Sequence, residues 1–268
     1  MFMTRLLTVL VALPIFAGAL LFLPSALWAL FLLPVLGIAS WEWAGLARYT
    51  QTMRIVYTAI VLVSALVLFY VAPAYFESSR VDLIVFSVSC IFWFAAAPWW
   101  LSTRWAARDA FTLGLAGWIA LVPMWLALVR LQAAPWALLG FLGIVWIADT
   151  AAYLAGKRWG RHKLAPHISP GKTWEGAFGA AIAVALYYGV LLLTIAPDRR
   201  YFDGGWGLLV FLIVLALSVE GDLFESLLKR QAGVKDSGKL LPGHGGMLDR
   251  IDGLTATMPA AALAYYLR

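Results

Sequence analysis

The stretch GLLVFLIVLALSVEGDLFESLLKRQAGVKDSGKLLPGHGGMLDRID, residues 207–252, joins an apolar run to a dense polar segment. Its first part, Gly207–Ser226, has the length and composition of a helix that crosses a membrane. The part from Asp222 to Asp252 holds ten of the chain's 34 charged residues (20 basic plus 14 acidic) and one of its three histidines. Because charge beside lipid is unfavourable, such a concentration predicts a functional site.

The composition of the whole chain indicates a polytopic integral membrane protein of the all-α class. Hydrophobic residues make up 63% of the 268 residues and charged residues only 13%, whereas soluble domains carry about 25% charge. A single cysteine, Cys90, lies in an apolar run, which excludes a disulfide framework and a cysteine metal site. The net charge of +6 is explained by basic cytoplasmic loops, so we expect no nucleic-acid partner.

The apolar runs predict about nine transmembrane helices. Leu6–Trp41 contains no charge over 36 residues, and a single helix of that length would measure about 54 Å against a hydrocarbon core of about 30 Å. Two spans with a break near Pro24-Ser25 fit better, although one merged span would leave eight helices in total. The run also resembles a signal peptide, but it lacks an A-x-A-like cleavage site, so we expect a retained helix. The other predicted spans are Ile55–Ala72, Leu83–Leu101, Ala110–Val129, Pro135–Ala155, Trp174–Ala196, Gly207–Ser226 and Ile251–Leu267.

The distribution of basic residues predicts a cytoplasmic N-terminus. With that orientation 15 lysines and arginines lie inside and five outside, as the positive-inside rule requires. Residues 1–268 are interpreted as one membrane domain, in which residues 1–130 form a helical scaffold. The second half, residues 135–268, holds most of the unusual polar groups and would carry two cytoplasmic loops at 156–173 and 228–250.

Two polar features precede the opening stretch. Asp149 lies within the apolar sequence GIVWIADTAAYLAG, where a carboxylate requires a cation, a metal or an aqueous cavity; the alternative is a structural pair with an arginine of another helix. Ser169-Pro170-Gly171-Lys172-Thr173 stands where a helix begins, so Thr173 is expected to cap that helix. Lys172 would then lie beside a helix N-terminus, which favours an anion.

Within the opening stretch, Asp222 and Ser226 are four residues apart, so on a helix a carboxylate and a hydroxyl converge. Glycines after the helix allow tight turns and close approach of the backbone to a ligand. Acidic, basic and glycine residues at a membrane surface together indicate metal-assisted phosphate chemistry, with Mg²⁺ as the preferred ion. The basic and acidic residues concerned are Glu225, Lys229, Arg230, Lys235, Lys239, Asp249, Arg250 and Asp252.

Residues 226–252, SLLKRQAGVKDSGKLLPGHGGMLDRID, resemble the signature of the phosphatidate cytidylyltransferase (CDP-diglyceride synthase) family. The segments DTAAY at 149–153 and SPGKTWEG at 169–176 also resemble that family. The resemblance is strong over the second half of the chain, whereas the first half is similar only as a run of membrane helices. The signature positions are Ser226, Lys229, Arg230, Lys235, Asp236, His244, Gly245, Gly246, Asp249, Arg250 and Asp252.

The resemblance implies the reaction CTP + phosphatidate → CDP-diacylglycerol + pyrophosphate, with Mg²⁺ and an additional monovalent cation such as K⁺ as cofactors. It implies Asp222, Asp249 and Asp149 as metal ligands. Substrate phosphates would be bound by Ser169, Lys172, Thr173, Lys229, Arg230, Lys235, Gly245 and Gly246. The remaining catalytic assignments are Ser226, Asp236, His244, Arg250 and Asp252. A homodimer in the bacterial inner membrane, with its site facing the cytoplasm, is also expected.

Two other function classes stay open at this point. Asp149, Glu220 and Asp222 are carboxylates of the kind that couple ion flux in transporters, although such a protein has no need of the polar segment 228–250. Another CTP-dependent membrane enzyme, such as a polyprenol kinase, would transfer the γ-phosphoryl group. A CDP-alcohol phosphotransferase is disfavoured because its D-G-x-x-A-R…G-x-x-x-D-x-x-x-D pattern is missing.

Overall fold

A computed structural model describes residues 13–71, 79–107, 109–194, 204–238 and 245–267. Helices dominate these residues, which confirms the predicted all-α class, and one short antiparallel hairpin is added to them. The helices are α1 Leu13–Phe22, α2 Ser25–Leu46, α3 Gln51–Val71, α4 Arg80–Thr103, α5 Ala110–Arg130, α6 Pro135–Trp159, α7 Trp174–Thr194, α8 Gly204–Ala232 and α9 Leu248–Tyr266. The hairpin strands are β1 Lys163–Ala165 and β2 Ser169–Thr173.

Seven of the described helices, α2 to α8, are long and apolar enough to cross a membrane. This finding confirms a polytopic membrane protein. The predicted break near Pro24-Ser25 is also confirmed, because α1 ends at Phe22 and α2 begins at Ser25. Proline is favoured at the start of a helix, because the N–H group that it lacks would have no partner within the helix there. The part of the first predicted span that falls on residues 1–12 lies outside the described residues.

Helix α9 is less apolar than these seven, yet it is extensively buried. It packs against α4, α5 and α8, and most of its residues from Leu248 to Ala262 are buried. A helix surrounded by other helices does not need a lipid-compatible surface, and its small residues allow close packing. The predicted helix at Ile251–Leu267 is therefore present, and it forms the centre of the helix bundle.

Helix α8 is longer than predicted. It continues to Ala232, and α9 begins at Leu248, so the predicted loop at 228–250 is wrong for residues 228–232 and 248–250. The buried side chains of Leu227 and Leu228 explain this, because they pack the last turns against the core. The helix ends at Gly233, whose φ of +78° is a conformation that favours glycine. The N–H of Val234 closes this turn with a hydrogen bond of 2.9 Å to the carbonyl oxygen of Lys229.

The predicted loop at 156–173 is more ordered than the sequence indicates. Helix α6 extends to Trp159, and β1 pairs with β2 in the register Lys163↔Thr173 and Ala165↔Ser169. Strand β2 contains Pro170 and Gly171, both poor strand formers, so composition gives no indication of it. The hairpin fixes the start of α7, where the N–H of Trp174 donates 2.9 Å to the carbonyl of His162.

Helices α6 and α7 approach each other closely through small residues. A Cβ atom added to Gly176 would lie 2.8 Å from the carbonyl oxygen of Ala152, and one added to Gly179 would overlap the side chain of Ala155. The GAFGAAIA sequence of α7 therefore packs at these glycines within the chain. The homodimer expected from the sequence stays a prediction.

Candidate active site

A cavity of about 400 Å³ opens between α6, β2, α7 and α8. Its polar lining includes five residues that the sequence assigns to the site. Its other walls are apolar or small, so the cavity has one charged end next to a surface compatible with lipid. The polar residues are Asp149, Ser169, Lys172, Thr173 and Asp222; the apolar and small ones include Ala148, Ala152, Leu164, Ala177, Ala180 and Val219.

Lys172 and Asp222 form an ion pair at the charged end, with Nζ 2.7 Å from Oδ2. Ser226 donates a hydrogen bond of 3.2 Å from Oγ to Asp222 Oδ1, which confirms the predicted convergence of the two side chains on one helix face. The lysine and aspartate side chains keep 23% and 33% of their surface exposed. Because both side chains remain accessible, a ligand can break this ion pair and bind the lysine or the aspartate in its place.

Asp149 is exposed and faces the cavity from α6. Its charge is repelled by Asp222 and attracted by Lys172 and Arg250. Asp149 therefore lines a cavity and lies within electrostatic range of two basic side chains, in agreement with the expectation of a nearby cation. A structural aspartate–arginine pair does occur elsewhere in the chain, at Asp82 and Arg130, where Nε lies 2.9 Å from Oδ2 and both side chains are buried.

Thr173 caps helix α7, as predicted. Its Oγ1 accepts a hydrogen bond of 3.2 Å from the N–H of Gly176. The following turn is held by Glu175, which accepts bonds from the N–H of His162 at 3.2 Å and pairs with its Nδ1 at 2.6 Å. These bonds attach the hairpin to α7 and keep Lys172 at the mouth of the cavity.

Asp249 belongs to a second polar group. Its Oδ1 lies 2.6 Å from Lys229 Nζ, and that same Nζ lies 2.7 Å from Glu225 Oε2. Its Oδ2 accepts bonds from the N–H of Ser237 at 3.0 Å, from Ser237 Oγ at 3.0 Å and from the N–H of Gly246 at 2.7 Å. Both oxygens therefore have protein donors, and the predicted role of Asp249 as a metal ligand stays a prediction.

The other predicted residues have varied positions. Arg230 Nε donates a hydrogen bond of 3.4 Å to the carbonyl oxygen of Ile168, and this bond connects α8 to the turn between the strands. Lys235 and Asp236 are exposed in the segment after α8, and Arg250 is exposed on α9. Asp252, whose Oδ1 accepts a bond from the N–H of Gly253, lies close enough to Asp149 and Asp222 for mutual repulsion. His244 lies outside the described residues.

Glu42 of α2 is the residue that the sequence reasoning missed. Its carboxylate accepts bonds from Ser237 Oγ at 3.1 Å, from the N–H of Met247 at 3.1 Å and from the N–H of Leu248 at 2.8 Å. The first 130 residues were interpreted as scaffold, so no role was assigned to this glutamate. Its position gave an indication, because it is the first charge after the 36 uncharged residues of Leu6–Trp41.

The donor set on the cavity fits a magnesium ion better than a metal held entirely by protein. Asp149 and Asp222 offer the hard carboxylate oxygens that Mg²⁺ prefers, and this ion usually takes one or two carboxylates and completes its shell with water and substrate phosphates. Among residues 13–71, 79–107, 109–194, 204–238 and 245–267, no three acidic, histidine or cysteine side chains converge on one metal position.

Comparison with known proteins supports the interpretation of this site. Residues 3–268 match the model of the cytidylyltransferase family. The phosphatidate cytidylyltransferase of Pseudomonas aeruginosa is 38% identical over 272 residues, covering 96% of this chain and 94% of that protein. The enzymes of the same name from Brucella suis biovar 1 and Haemophilus influenzae are 55% and 46% identical over 124 and 125 residues, which cover 46% of this chain and 43% of each relative.

The match of the family model extends over nearly the whole chain, including the N-terminal helices that carry no recognised motif. The Pseudomonas aeruginosa relative likewise aligns from one end of the chain to the other. The shorter alignments, to the Brucella suis and Haemophilus influenzae proteins, are also the more identical ones. On these grounds the chain belongs to the cytidylyltransferase family.

Proposed function

We propose that this protein is a phosphatidate cytidylyltransferase, which converts CTP and phosphatidate to CDP-diacylglycerol and pyrophosphate. The observation that carries the proposal is the cavity whose charged end, Asp149, Lys172 and Asp222, adjoins apolar walls between membrane helices. Such a cavity suits a substrate that has a phosphate headgroup and acyl chains. Full-length similarity to a relative of that name supports the same activity.

The proposed reaction is a substitution at the α-phosphorus of CTP. A phosphate oxygen of phosphatidate forms a bond to this phosphorus, and the bond from the phosphorus to the oxygen bridging the α- and β-phosphates breaks. Pyrophosphate leaves with the electron pair of that bond. Because the attacking oxygen already carries negative charge, the site needs no strong base and acts mainly by alignment and charge neutralisation.

Lys172 and Asp222 have complementary roles in this proposal. When substrate enters, the Lys172 ammonium exchanges its contact with Asp222 for a phosphate oxygen, and Asp222 and Asp149 become available to hold Mg²⁺. Bound Mg²⁺ would neutralise charge on the phosphates. Ser226 keeps the Asp222 carboxylate oriented by its hydrogen bond. The proposal also includes Asp249 as a further metal ligand and K⁺ as a monovalent cofactor. Lys229, Arg230 and Lys235 are its further phosphate-binding residues.

We infer the cellular arrangement from charge and substrate supply. The 15-to-5 distribution of basic residues favours a cytoplasmic N-terminus, and CTP is a cytoplasmic substrate. The bacterial relatives suggest the inner membrane, with the charged end of the cavity facing the cytoplasm. A homodimer remains part of the proposal, to be tested by mass determination in detergent.

The proposal is tested by incubating purified protein with Mg²⁺, phosphatidate and CTP labelled at either the α- or the γ-phosphate. We expect the α-label to enter the lipid fraction and the γ-label to appear in pyrophosphate, only when phosphatidate is supplied. Entry of the γ-label into lipid would instead indicate a kinase. Solute flux across proteoliposomes without consumption of CTP would indicate a transporter.

A further inference from the structure

Glu42 is a buried carboxylate that contacts residues 195 to 206 positions further along the chain. It lies on α2 and keeps only 6% of its surface exposed. A carboxylate buried to this degree is unfavourable unless hydrogen-bond donors surround it. Oε1 accepts a bond from the N–H of Met247, and Oε2 accepts bonds from the N–H of Leu248 and from Ser237 Oγ.

Two of these donors belong to the start of α9. The first N–H groups of a helix have no partner within the helix, and Met247, at the capping position, provides no side-chain bond. Glu42 supplies the missing acceptor from another helix, and its negative charge is favourable at the positive end of the α9 dipole. Helix α9 is therefore capped by a residue of α2.

The same carboxylate contacts both ends of the segment that precedes α9. A Cβ atom added to Gly238 would overlap Oε1 of Glu42, and one added to Gly246 would lie 2.5 Å from Oε2. These glycines therefore leave the space that the carboxylate occupies. Any side chain at either position would displace Glu42 or the backbone.

The contacts of Glu42 continue to the second polar group. Ser237 Oγ lies 3.1 Å from Glu42 Oε2 and 3.0 Å from Asp249 Oδ2, so this hydroxyl is within hydrogen-bond distance of both carboxylates and shares its single proton between them. Asp249 in turn lies 2.6 Å from Lys229 Nζ. A displacement of Glu42 would thus be passed to Asp249 and Lys229 through direct contacts.

We infer that Glu42 is a positioning residue for the catalytic site, acting through Ser237 and Asp249. It holds the two ends of the segment 238–246 together and thereby sets the position of Asp249 and Lys229 relative to the substrate phosphates. This inference rests on the proposed cytidylyltransfer function. Glu42 itself contacts neither substrate.

Glu42→Gln is the main test, because it keeps the size of the side chain and replaces one acceptor oxygen by an NH₂ group that faces donors. We expect kcat to fall about tenfold, since small misplacements of reacting groups have effects of this order. The KM for CTP should change by less than about twofold, because no substrate contact is removed. In Glu42→Ala, kcat should fall about 100-fold.

Asp82→Asn is the matched control for a purely structural effect. It also alters a buried carboxylate, but one paired with Arg130 in the N-terminal helices. At an equal decrease in Tm, this variant should keep a near wild-type kcat. If both variants show the same loss of kcat for the same decrease in Tm, Glu42 has only a structural role and the inference is overturned.

Ser237→Ala provides a second test in case the Glu42 variants do not fold, with Ser89→Ala as its control. Ser89 donates from Oγ to the carbonyl of Ile119 at 3.1 Å, so this control also removes one hydrogen-bonded hydroxyl. We expect Ser237→Ala to lower kcat about threefold to tenfold and Ser89→Ala to leave it unchanged. Combined with Glu42→Gln, Ser237→Ala should add little; additive effects would overturn the shared contact route.

Amide hydrogen exchange separates failure of this inference from failure of the proposed function. In Glu42→Gln, exchange at residues 245–250 should become at least about tenfold faster, since the cap on the N–H groups of Met247 and Leu248 is weakened. Unchanged exchange there would overturn the inference even if the wild-type protein had no cytidylyltransferase activity. Wild-type inactivity with accelerated exchange would overturn the proposed function alone.

Discussion

Two groups of polar residues lie at the same end of α8, and they differ in how many partners their carboxylate oxygens have. The cavity group keeps about a quarter to a third of its Lys172 and Asp222 side chains exposed. In the clamp group, the side chains of Glu225, Lys229 and Asp249 are 3%, 12% and 8% exposed. The cavity group is Asp149, Lys172 and Asp222; the clamp group is Glu42, Glu225, Lys229, Ser237 and Asp249.

This difference separates carboxylates that can exchange a partner for a ligand from carboxylates whose oxygens are already bonded to donors of the protein. Asp222 has one ion-pair partner and one hydroxyl donor, so an incoming cation or phosphate can displace Lys172 from it. Asp249 accepts bonds at both oxygens from groups on α8 and on both ends of the following segment. Carboxylates of one signature can therefore have different physical tasks.

The largest expected effect comes from Asp222→Asn compared with Asp249→Asn. Asp222→Asn should lower kcat at least about 100-fold with little change in Tm, because it removes charge from an accessible pair. Asp249→Asn should lower both, with about 1.5–3 kcal/mol of stability lost because the half-buried Lys229 loses one of its two charged partners. Turnover in a CTP–phosphatidate assay and thermal unfolding in detergent measure the two quantities.

Equal behaviour of the two aspartate variants would remove the distinction between the groups. In particular, normal Tm and abolished turnover for Asp249→Asn would assign this residue to the metal, as the sequence predicted. Near-normal turnover for both variants would contradict any role of these carboxylates in metal binding.

A smaller effect is expected from Lys172→Ala. Removing the ammonium at the mouth of the cavity should lower kcat/KM about tenfold to 100-fold, since a charge-assisted contact to phosphate is lost. Lys157→Ala is the matched control, because Lys157 is exposed on the last turns of α6, where its Nζ lies 5.8 Å from the centroid of the Tyr153 ring. An equal loss in both variants would indicate a general surface-charge effect and not a specific phosphate contact.

Gly221→Ala tests the packing between α8 and α9, on which both groups depend. An added Cβ would lie 2.5 Å from the carbonyl oxygen of Asp252 and 3.2 Å from Cα of Gly253. We expect about 1–3 kcal/mol of lost stability from overpacking, together with a severalfold lower kcat. Gly189→Ala in α7 has open space around its Cα and should be neutral or slightly stabilising.

Much of this arrangement was accessible from the sequence. Hydropathy and the charge-free run predicted the membrane helices and the break at Pro24. Helical spacing predicted the convergence of Asp222 and Ser226, and helix-start chemistry predicted the cap at Thr173. These features are local: the cap and the Asp222–Ser226 pair depend on residues within about one or two helical turns, and each membrane helix depends on one continuous run of about 20 residues.

Features that depend on distant contacts were not accessible. The extension of α8 to Ala232 comes from burial of Leu227 and Leu228, and the hairpin strand Ser169–Thr173 contradicts local propensity. The role of Glu42 requires a contact across 195 residues to Ser237. No repeating pattern in the sequence marks such a contact. Only the folded chain therefore reveals which carboxylates already accept hydrogen bonds from the protein.

The smallest expected effect is that of Thr173→Ala, at the boundary of the cavity. Its Oγ1 accepts the N–H of Gly176 and caps α7, so the substitution should cost about 1 kcal/mol of stability. Thr173→Ser keeps the oxygen and should restore most of this loss. Thr194→Ala is the matched control at the other end of α7, where the hydroxyl only bonds the carbonyl of Val190. If Thr173 serves only as a cap, KM for both substrates should change less than about twofold; a tenfold increase would assign its hydroxyl to substrate binding and extend the cavity group by one residue.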